Sequence, residues 1–316
     1  MSTQPPTSPA SRRGFLSTLG LGLGGGLLAT GATPAPAIEP IKRTGKPRLQ
    51  LGLAAYSFRQ YFHWMRDKEQ KVEGREAWEM HDFVDYCADL GVGAEITSYF
   101  FPKDVEQDWL LDLKRHAYLR GVPFTGTAIG NSFTLPQGEK LDEQVAYTNL
   151  WIEHALLLGA PHIRVFAGAP DKSITQEQAI KNCIETLSQV AGFAAERGIF
   201  LGLENHGGIV AEADPLIEIV RAVDSPWVGI NLDSGNFHTA DPYGDLAKIA
   251  PYAVNVQLKC EMNPKGKPTE PMDIARIVGI LRDAGYQGWF TLEYEAKEDP
   301  FAAVPQWIEK MRAAIA

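Results

Sequence analysis

Past residue 37 the chain is built from short apolar runs, each closed by polar residues and followed by a helix-length segment with apolar residues at three- and four-residue spacing. The runs at 49–54, 93–97, 123–127, 162–166, 200–204, 228–232, 253–258 and 289–293 read as eight strands. Between them the helical pattern is clearest at 141–158, where Val145, Ile152, Ala155 and Leu156 share a side. It is equally clear at 178–197, with Ala179, Cys183, Leu187, Val190 and Ala194. Gly91, Gly121, Gly159, Gly198 and Gly285 each fall a few residues before the next run, where a helix end favours positive φ. This cadence predicts an α/β chain forming a single (β/α)8 TIM barrel over residues 49–316. A doubly wound sheet is the alternative, but no Gly-x-Gly-x-x-Gly follows the first run.

The stretch before the barrel has a different character. Ser11-Arg12-Arg13-Gly14-Phe15-Leu16 leads into an uncharged segment rich in Leu, Gly and Ala, and then Pro34-Ala35-Pro36-Ala37. That order reads as a cleavable twin-arginine export signal at residues 1–37, with a linker at 38–48 and a periplasmic or secreted location. The seven glycines between residues 14 and 31 make a poor permanent membrane span.

Composition narrows the chemistry. A 316-residue chain that is 45% hydrophobic and 22% charged has material for a large core. The net charge is −9, and removing residues 1–37 takes away two arginines and no acid, leaving −11. No basic run offers a footprint for nucleic acid. Cys87, Cys183 and Cys260 lie far apart, which argues against a disulfide framework and against a thiolate zinc site.

In a barrel of this kind, chemistry gathers at the C-terminal ends of the strands. Glu204, Asp233 and Glu293 close the fifth, sixth and eighth runs, and Gln257 holds the corresponding place on the seventh. Three carboxylates brought to one rim would repel unless a cation compensated them. With one amide oxygen they form a hard, all-oxygen set. Such a set favours a divalent ion, Mn²⁺ first and then Mg²⁺ or Co²⁺, over zinc held by Cys or His. The competing reading is that each acid caps a helix or pairs with a surface base.

The runs Leu-Glu-Asn-His-Gly-Gly at Glu204, Asn-Leu-Asp-Ser-Gly-Asn-Phe at Asp233, Val-Gln-Leu-Lys at Gln257 and Thr-Leu-Glu-Tyr-Glu at Glu293 resemble the metal-ligand motifs of the xylose-isomerase-like barrel superfamily. That group includes ketose 3-epimerases, hydroxypyruvate isomerase and inosose dehydratase. The resemblance spans nearly the whole barrel, and it implies that Glu204, Asp233, Gln257 and Glu293 bind a metal. It also implies that Glu204 and Glu293 act as catalytic acid and base. The family usually has His where Gln257 stands, and its epimerases tend to carry His where Asn236 stands, with His238 two residues further on.

Further candidates for contact with substrate are His206 and Lys259 beside the acids, Glu95 and Arg164 on the second and fourth strands, and His238. Tyr56 and Phe58 lie in an aromatic loop after the first strand, and Tyr99, Phe100 and Phe101 follow the second. Aromatic faces suit the C–H faces of sugars, and packing over the barrel mouth is their ordinary alternative. Glu95 and Arg164 could instead pair with each other in the core. The expectation is a metal-dependent isomerase or epimerase acting by enediolate proton transfer on a non-phosphorylated sugar or keto-sugar. A 3-keto-glycoside-cleaving enzyme of the same superfamily and a non-catalytic periplasmic carbohydrate-binding barrel are the alternatives. Endonuclease IV-like repair enzymes share this barrel, but the acidic charge opposes DNA binding. The partner is a small carbohydrate, with no nucleic acid and no stable membrane span after signal removal; a homo-oligomer is left open.

Overall fold

The computed structural model describes residues 39–316, so the export signal read at residues 1–37 lies outside the described residues. The barrel strands are β1 (Arg48–Ala54), β2 (Gly93–Thr97), β3 (Phe124–Ala128), β4 (His162–Val165), β5 (Phe200–Glu204), β6 (Val228–Asp233), β7 (Ala253–Leu258) and β8 (Gln287–Leu292). The helices are α1 (Met80–Leu90), α2 (Gln107–Arg120), α3 (Glu139–Leu158), α4 (Gln176–Arg197), α5 (Ala213–Val223), α6 (Pro242–Ile249), α7 (Ile274–Asp283) and α8 (Pro300–Ile315). All eight barrel strands run parallel, and β1 closes the ring by pairing with both β2 and β8.

Helix ends fall where the glycines stand. Gly91, Gly121, Gly159 and Gly198 are the left-handed caps of α1 to α4, with φ between 65° and 80°. The apolar stripe of α5, Ala213, Leu216, Ile219, Val220 and Val223, is buried against the sheet, as three- and four-residue spacing requires. Among the described residues no helix is long and apolar enough to cross a membrane. The segment read as a linker is held against the end of the barrel opposite the mouth. The Ile41 N–H donates to the Pro251 carbonyl at 3.0 Å, and the Arg43 guanidinium donates to the Ala253 carbonyl at 2.5 Å.

The strands alternate with period two. Ile163, Val165, Leu201, Leu203, Ile230, Leu232, Val256, Leu258, Phe290 and Leu292 are buried apolar residues. The positions between them, Arg164, Glu204, Asn231, Asp233, Asn255, Gln257, Thr291 and Glu293, are polar and equally buried. They fill the inside of the barrel. Three of them close a hydrogen-bonded ring with Glu95. The Asn255 amide donates to Glu95 and to Asn231, both at 2.8 Å; Asn231 donates to Gln257 at 2.7 Å; and Gln257 donates to Glu95 at 2.5 Å. This ring plugs the barrel beneath its mouth. Below it, the His162 ring fits because β3 and β5 present glycine. A Cβ on Gly202 would stand 2.3 Å from His162 Nε2, and one on Gly126 2.7 Å from Nδ1. Burial, and then the charge of Arg164, push the His162 imidazole down to about 3, so it stays neutral.

Candidate active site

The C-terminal ends of β5, β6 and β8 bring Glu204, Asp233 and Glu293 to the mouth, as their positions in the sequence suggest. Their placement is fixed by the backbone around them. The Asn205 side chain accepts from the Asp233 N–H at 2.8 Å and donates to its carbonyl at 2.9 Å, tying the end of β5 to β6. The Gly235 N–H donates to Asp233 Oδ1 at 2.8 Å. The Glu293 N–H donates to the Leu258 carbonyl at 2.9 Å, joining β8 to β7. Ser57, in the turn after β1, accepts from the Tyr294 N–H at 2.9 Å and completes the rim.

Two cations meet these acids. Arg164 Nε lies 2.9 Å from Glu204 Oε2, with both side chains about 5% exposed or less, and Arg164 also donates to the Ile129 carbonyl at 2.8 Å. The other oxygen of Glu204 accepts from the Asn236 amide at 2.9 Å. Lys259 Nζ is hydrogen-bonded to Glu293 and Glu295 and lies 3.4 Å from Asp233 Oδ2. That Asp233 oxygen is buried without a hydrogen-bond donor. Beside them lies a cavity of about 220 Å³ lined by Glu204, Glu293, Glu295, Lys259, Arg164 and Asn236. Tyr56, Tyr99, Phe166, His206 and Arg66 line it as well, with the Arg66 guanidinium 4.2 Å from the centre of the Tyr99 ring.

The environments separate the acids. Burial raises Glu204 to about 7, against the pull of Arg164, and raises Asp233 to about 7, against the pull of Lys259. Burial and the nearby Glu293 raise Glu95 to about 7 as well. For Glu293 burial acts upward too, but the charge and hydrogen bond of Lys259, then Arg164, outweigh it and hold the carboxyl below its ordinary value. Lys259 is held well above its usual range by Asp233, Glu293 and Glu295 despite its burial. Burial, then the charge of Arg164, lower His206. Glu95, Glu204 and Asp233 thus bind protons more tightly folded than unfolded, so folding stability is greatest below about pH 4.5 for these groups and is lost as pH rises towards 7. The midpoint of thermal unfolding is expected to fall between pH 5 and pH 8; a midpoint that rises over that interval would show these carboxyls to be better paired than their burial implies.

Several sequence expectations change here. Gln257 does not reach the cavity: its amide nitrogen is bonded to Glu95 and its oxygen to Asn231. Glu95 belongs to the same ring and pairs neither with substrate space nor with Arg164, which takes Glu204 instead. Phe58 is fully buried, with ring centres 4.9 to 5.0 Å from Trp78, Tyr86 and Phe301, so it packs the loop. Phe100 stacks on Phe62, and Phe101 packs between Trp109 and Trp151, leaving Tyr99 alone of that trio on the cavity. His238 is exposed, near the Asn263 carbonyl at 3.3 Å, and faces a neighbouring groove. Asn236, Glu295 and Arg66 take part in the site although the sequence reading assigned them no role there.

Glu204, Asp233 and Glu293 gather at the mouth as the hard oxygen donors a divalent ion would need, and Asp233 Oδ2 is buried without a hydrogen-bond donor, as a ligand oxygen would be. A divalent ion between Glu204, Asp233, Gln257 and Glu293 would have to displace the Lys259 ammonium, free Gln257 from its ring and draw Glu204 off Arg164. Among the described residues no group of three His, Cys, Asp or Glu side chains is arranged to hold a metal ion.

Fold and mouth together define a class: a closed parallel eightfold barrel with buried carboxylates and cations facing one small polar cavity. Residues 84–313 match the xylose isomerase-like TIM barrel family, and the chain belongs to it. Rhizopine catabolism protein MocC of Rhizobium meliloti is 28% identical over 148 residues, 40% of this chain and 45% of that protein. The chain spans less than half the length of the curated relatives it matches. Among solved structures, 3-keto-D-glucoside 4-epimerase YcjR of E. coli superposes with a TM-score of 0.64 at 15% identity, covering 84% of this chain and 100% of that one. A xylose isomerase-like TIM barrel protein from Mycobacterium smegmatis in complex with magnesium gives 0.64 at 16% identity, covering 85% and 98%.

Proposed function

We propose that this chain is a sugar isomerase or epimerase that moves a proton next to the carbonyl of a non-phosphorylated keto-sugar, outside the cytoplasm after twin-arginine export. The observation that carries this is the pair of buried carboxylates, Glu204 and Glu293, facing one cavity in environments that set their proton affinities apart. Glu293, held ionised, takes the α-proton of the substrate. The C–H electron pair forms a carbon–carbon double bond, and the carbonyl oxygen gains the negative charge of an enediolate. Glu204, which burial raises to about 7 against the pull of Arg164, is the group that returns a proton. Delivery to the opposite face of the same carbon gives an epimer, and delivery to the neighbouring carbon gives an isomer.

The cavity supports a small substrate. At about 220 Å³ it lies below the roughly 300–1,000 Å³ of sites for drug-sized ligands, so it suits one sugar ring. Tyr56, Tyr99 and Phe166 offer aromatic faces to such a ring, and the epimerase among the structural neighbours supports a keto-pyranose as substrate. The test is incubation of the mature protein with keto-sugars and keto-glycosides in D2O. Deuterium uptake beside the carbonyl is expected; sugar binding without exchange across a broad panel would favour the non-catalytic binding barrel.

A further inference from the structure

We infer that the outer face of α2 and α3 is the contact through which two copies of this chain pair, with α2 packed antiparallel on α2 about a twofold axis.

The large hydrophobic side chains most open to solvent among the described residues are Leu111, Tyr118, Leu119, Leu150 and Leu156. All five stand on α2 and α3, which pack side by side. Tyr118 is 84% exposed and Leu119 65%, so neither serves the core of its own copy. The other long helix, α4, shows an ordinary outer face: its exposed positions carry Gln, Glu, Lys, Ser and Gly. On α3 no charged residue occurs between Glu143 and Glu153, a run that includes the exposed Ala146 and Leu150. Single exposed apolar residues are common. An apolar face spread over two neighbouring helices, with charge withdrawn from its middle, has the make-up of a protein interface. The face is also firm. Lys114 Nζ donates to the Leu157 carbonyl at 2.8 Å and ties α2 to α3, while Arg120 meets Asp85 of α1 at 2.7 Å.

The order of charge along α2 selects a second copy as the occupant. Asp108, Leu111, Asp112, Arg115, Tyr118 and Leu119 follow three- and four-residue spacing and are all exposed, so they form one stripe. Both acids of α2 lie in its first half, and all its lysines and arginines lie in its second. A parallel neighbour would set acid against acid. An antiparallel copy, related by a twofold axis crossing α2 near Lys114, sets Leu111 against Tyr118 and Asp112 against Arg115, and the axis makes each contact twice. Among the described residues Arg115 has no ion pair of its own, whereas Arg120 is held by Asp85 and Asp89. The chain as a whole is acidic, so two copies repel except where charge is balanced, and this stripe balances it. Helices of 14 and 20 residues are about 21 and 30 Å long and together about 20 Å wide, enough to bury the roughly 800 Å² per partner of a standard interface.

Sedimentation equilibrium of the mature protein tests this. The wild type is expected to show twice the chain mass at about 10 µM, since interfaces of this size reach micromolar affinity or better. Tyr118→Lys and Leu119→Lys put a charge into the apolar middle, and each is expected to weaken pairing at least about tenfold. Circular dichroism should show both variants folded, because neither side chain packs within its own copy. Arg115→Asp and Asp112→Arg are each expected to weaken pairing, and the double variant to restore it to within about threefold, because reversing both ends keeps acid opposite base. Asp108→Arg is the second acid variant, since Asp112 also meets His81 at 3.2 Å. A wild type that is monomeric at that concentration overturns the proposal. So does a dimer that Tyr118→Lys and Leu119→Lys leave intact, which would place the contact on another face. Charge reversals without effect, or without rescue in the double variant, overturn the antiparallel twofold arrangement.

Discussion

Glu293→Gln and Glu204→Gln are each expected to slow deuterium uptake beside the carbonyl by about 10²–10⁴-fold, the usual contribution of a positioned acid or base. Both exchanges are nearly isosteric, so shape in the cavity is kept and only the proton-carrying group is lost. The fall should lie in kcat more than in KM, because proton transfer is made in the transition state. Folding should survive. Lys259 keeps Glu295 and Asp233 when Glu293 is neutralised, and in Glu204→Gln the amide oxygen still offers Arg164 an acceptor beside the Ile129 carbonyl, so the guanidinium is not left bare. The two variants should differ in their pH profiles. In the wild type the active form has Glu293 ionised and Glu204 protonated, so kcat/KM should decline as pH rises through about 7. In Glu204→Gln the residual activity should lack that decline. A decline that persists in Glu204→Gln would assign the ionisation to another group, Asp233 or Glu95 being next in line.

The barrel itself was legible because its signals are local. Strand-length apolar runs and left-handed glycine caps at Gly91, Gly121, Gly159 and Gly198 depend on neighbouring residues alone. The site was legible only in part, because depth in a closed sheet depends on register between strands. Gln257 is level with Thr291 on β8, and Glu293 lies two residues beyond that level. On a pleated strand two residues are roughly 6.6 Å along the barrel and on the same face. Lys259, two residues after Gln257, therefore comes level with Glu293, and Gln257 lies beneath it in the ring. The polar residues Asn231 and Asn255 in otherwise apolar strands were the available sign that the barrel holds a polar plug. Aromatic density after β1 could not separate Tyr56 on the cavity from Phe58 in the loop packing, since two residues apart in a turn they face different ways. Asn236 rather than His238 reaches Glu204 because Phe237 between them is buried and turns His238 outward.

Arg164→Met is the substitution expected to cost the fold most, and its cost should depend on pH in a definite sense. The guanidinium is the cation beside Glu204, and both lie beneath the mouth, nearly closed to water. Removing one partner of a buried ion pair typically costs about 3–5 kcal/mol, because the remaining charge is left uncompensated. Glu204 has an escape: burial already raises it to about 7, and loss of Arg164 drives it higher, so at pH 5.5 it accepts a proton and the charge disappears. At pH 8.5 the folded chain must either keep that proton against the solvent or bury a bare carboxylate. A carboxyl raised in the folded state gives stability below its unfolded value and loses it as pH rises, so the variant's deficit should grow between pH 5.5 and pH 8.5. Thermal melts of both proteins at the two pH values measure this. The double variant Arg164→Met with Glu204→Gln should recover much of the loss at pH 8.5, since the orphaned charge is gone and the two residues are in contact. An equal deficit at both pH values, unrelieved by Glu204→Gln, would mean that Arg164 serves the fold through its hydrogen bond to the Ile129 carbonyl and its packing over Phe166, with Glu204 already neutral beside it.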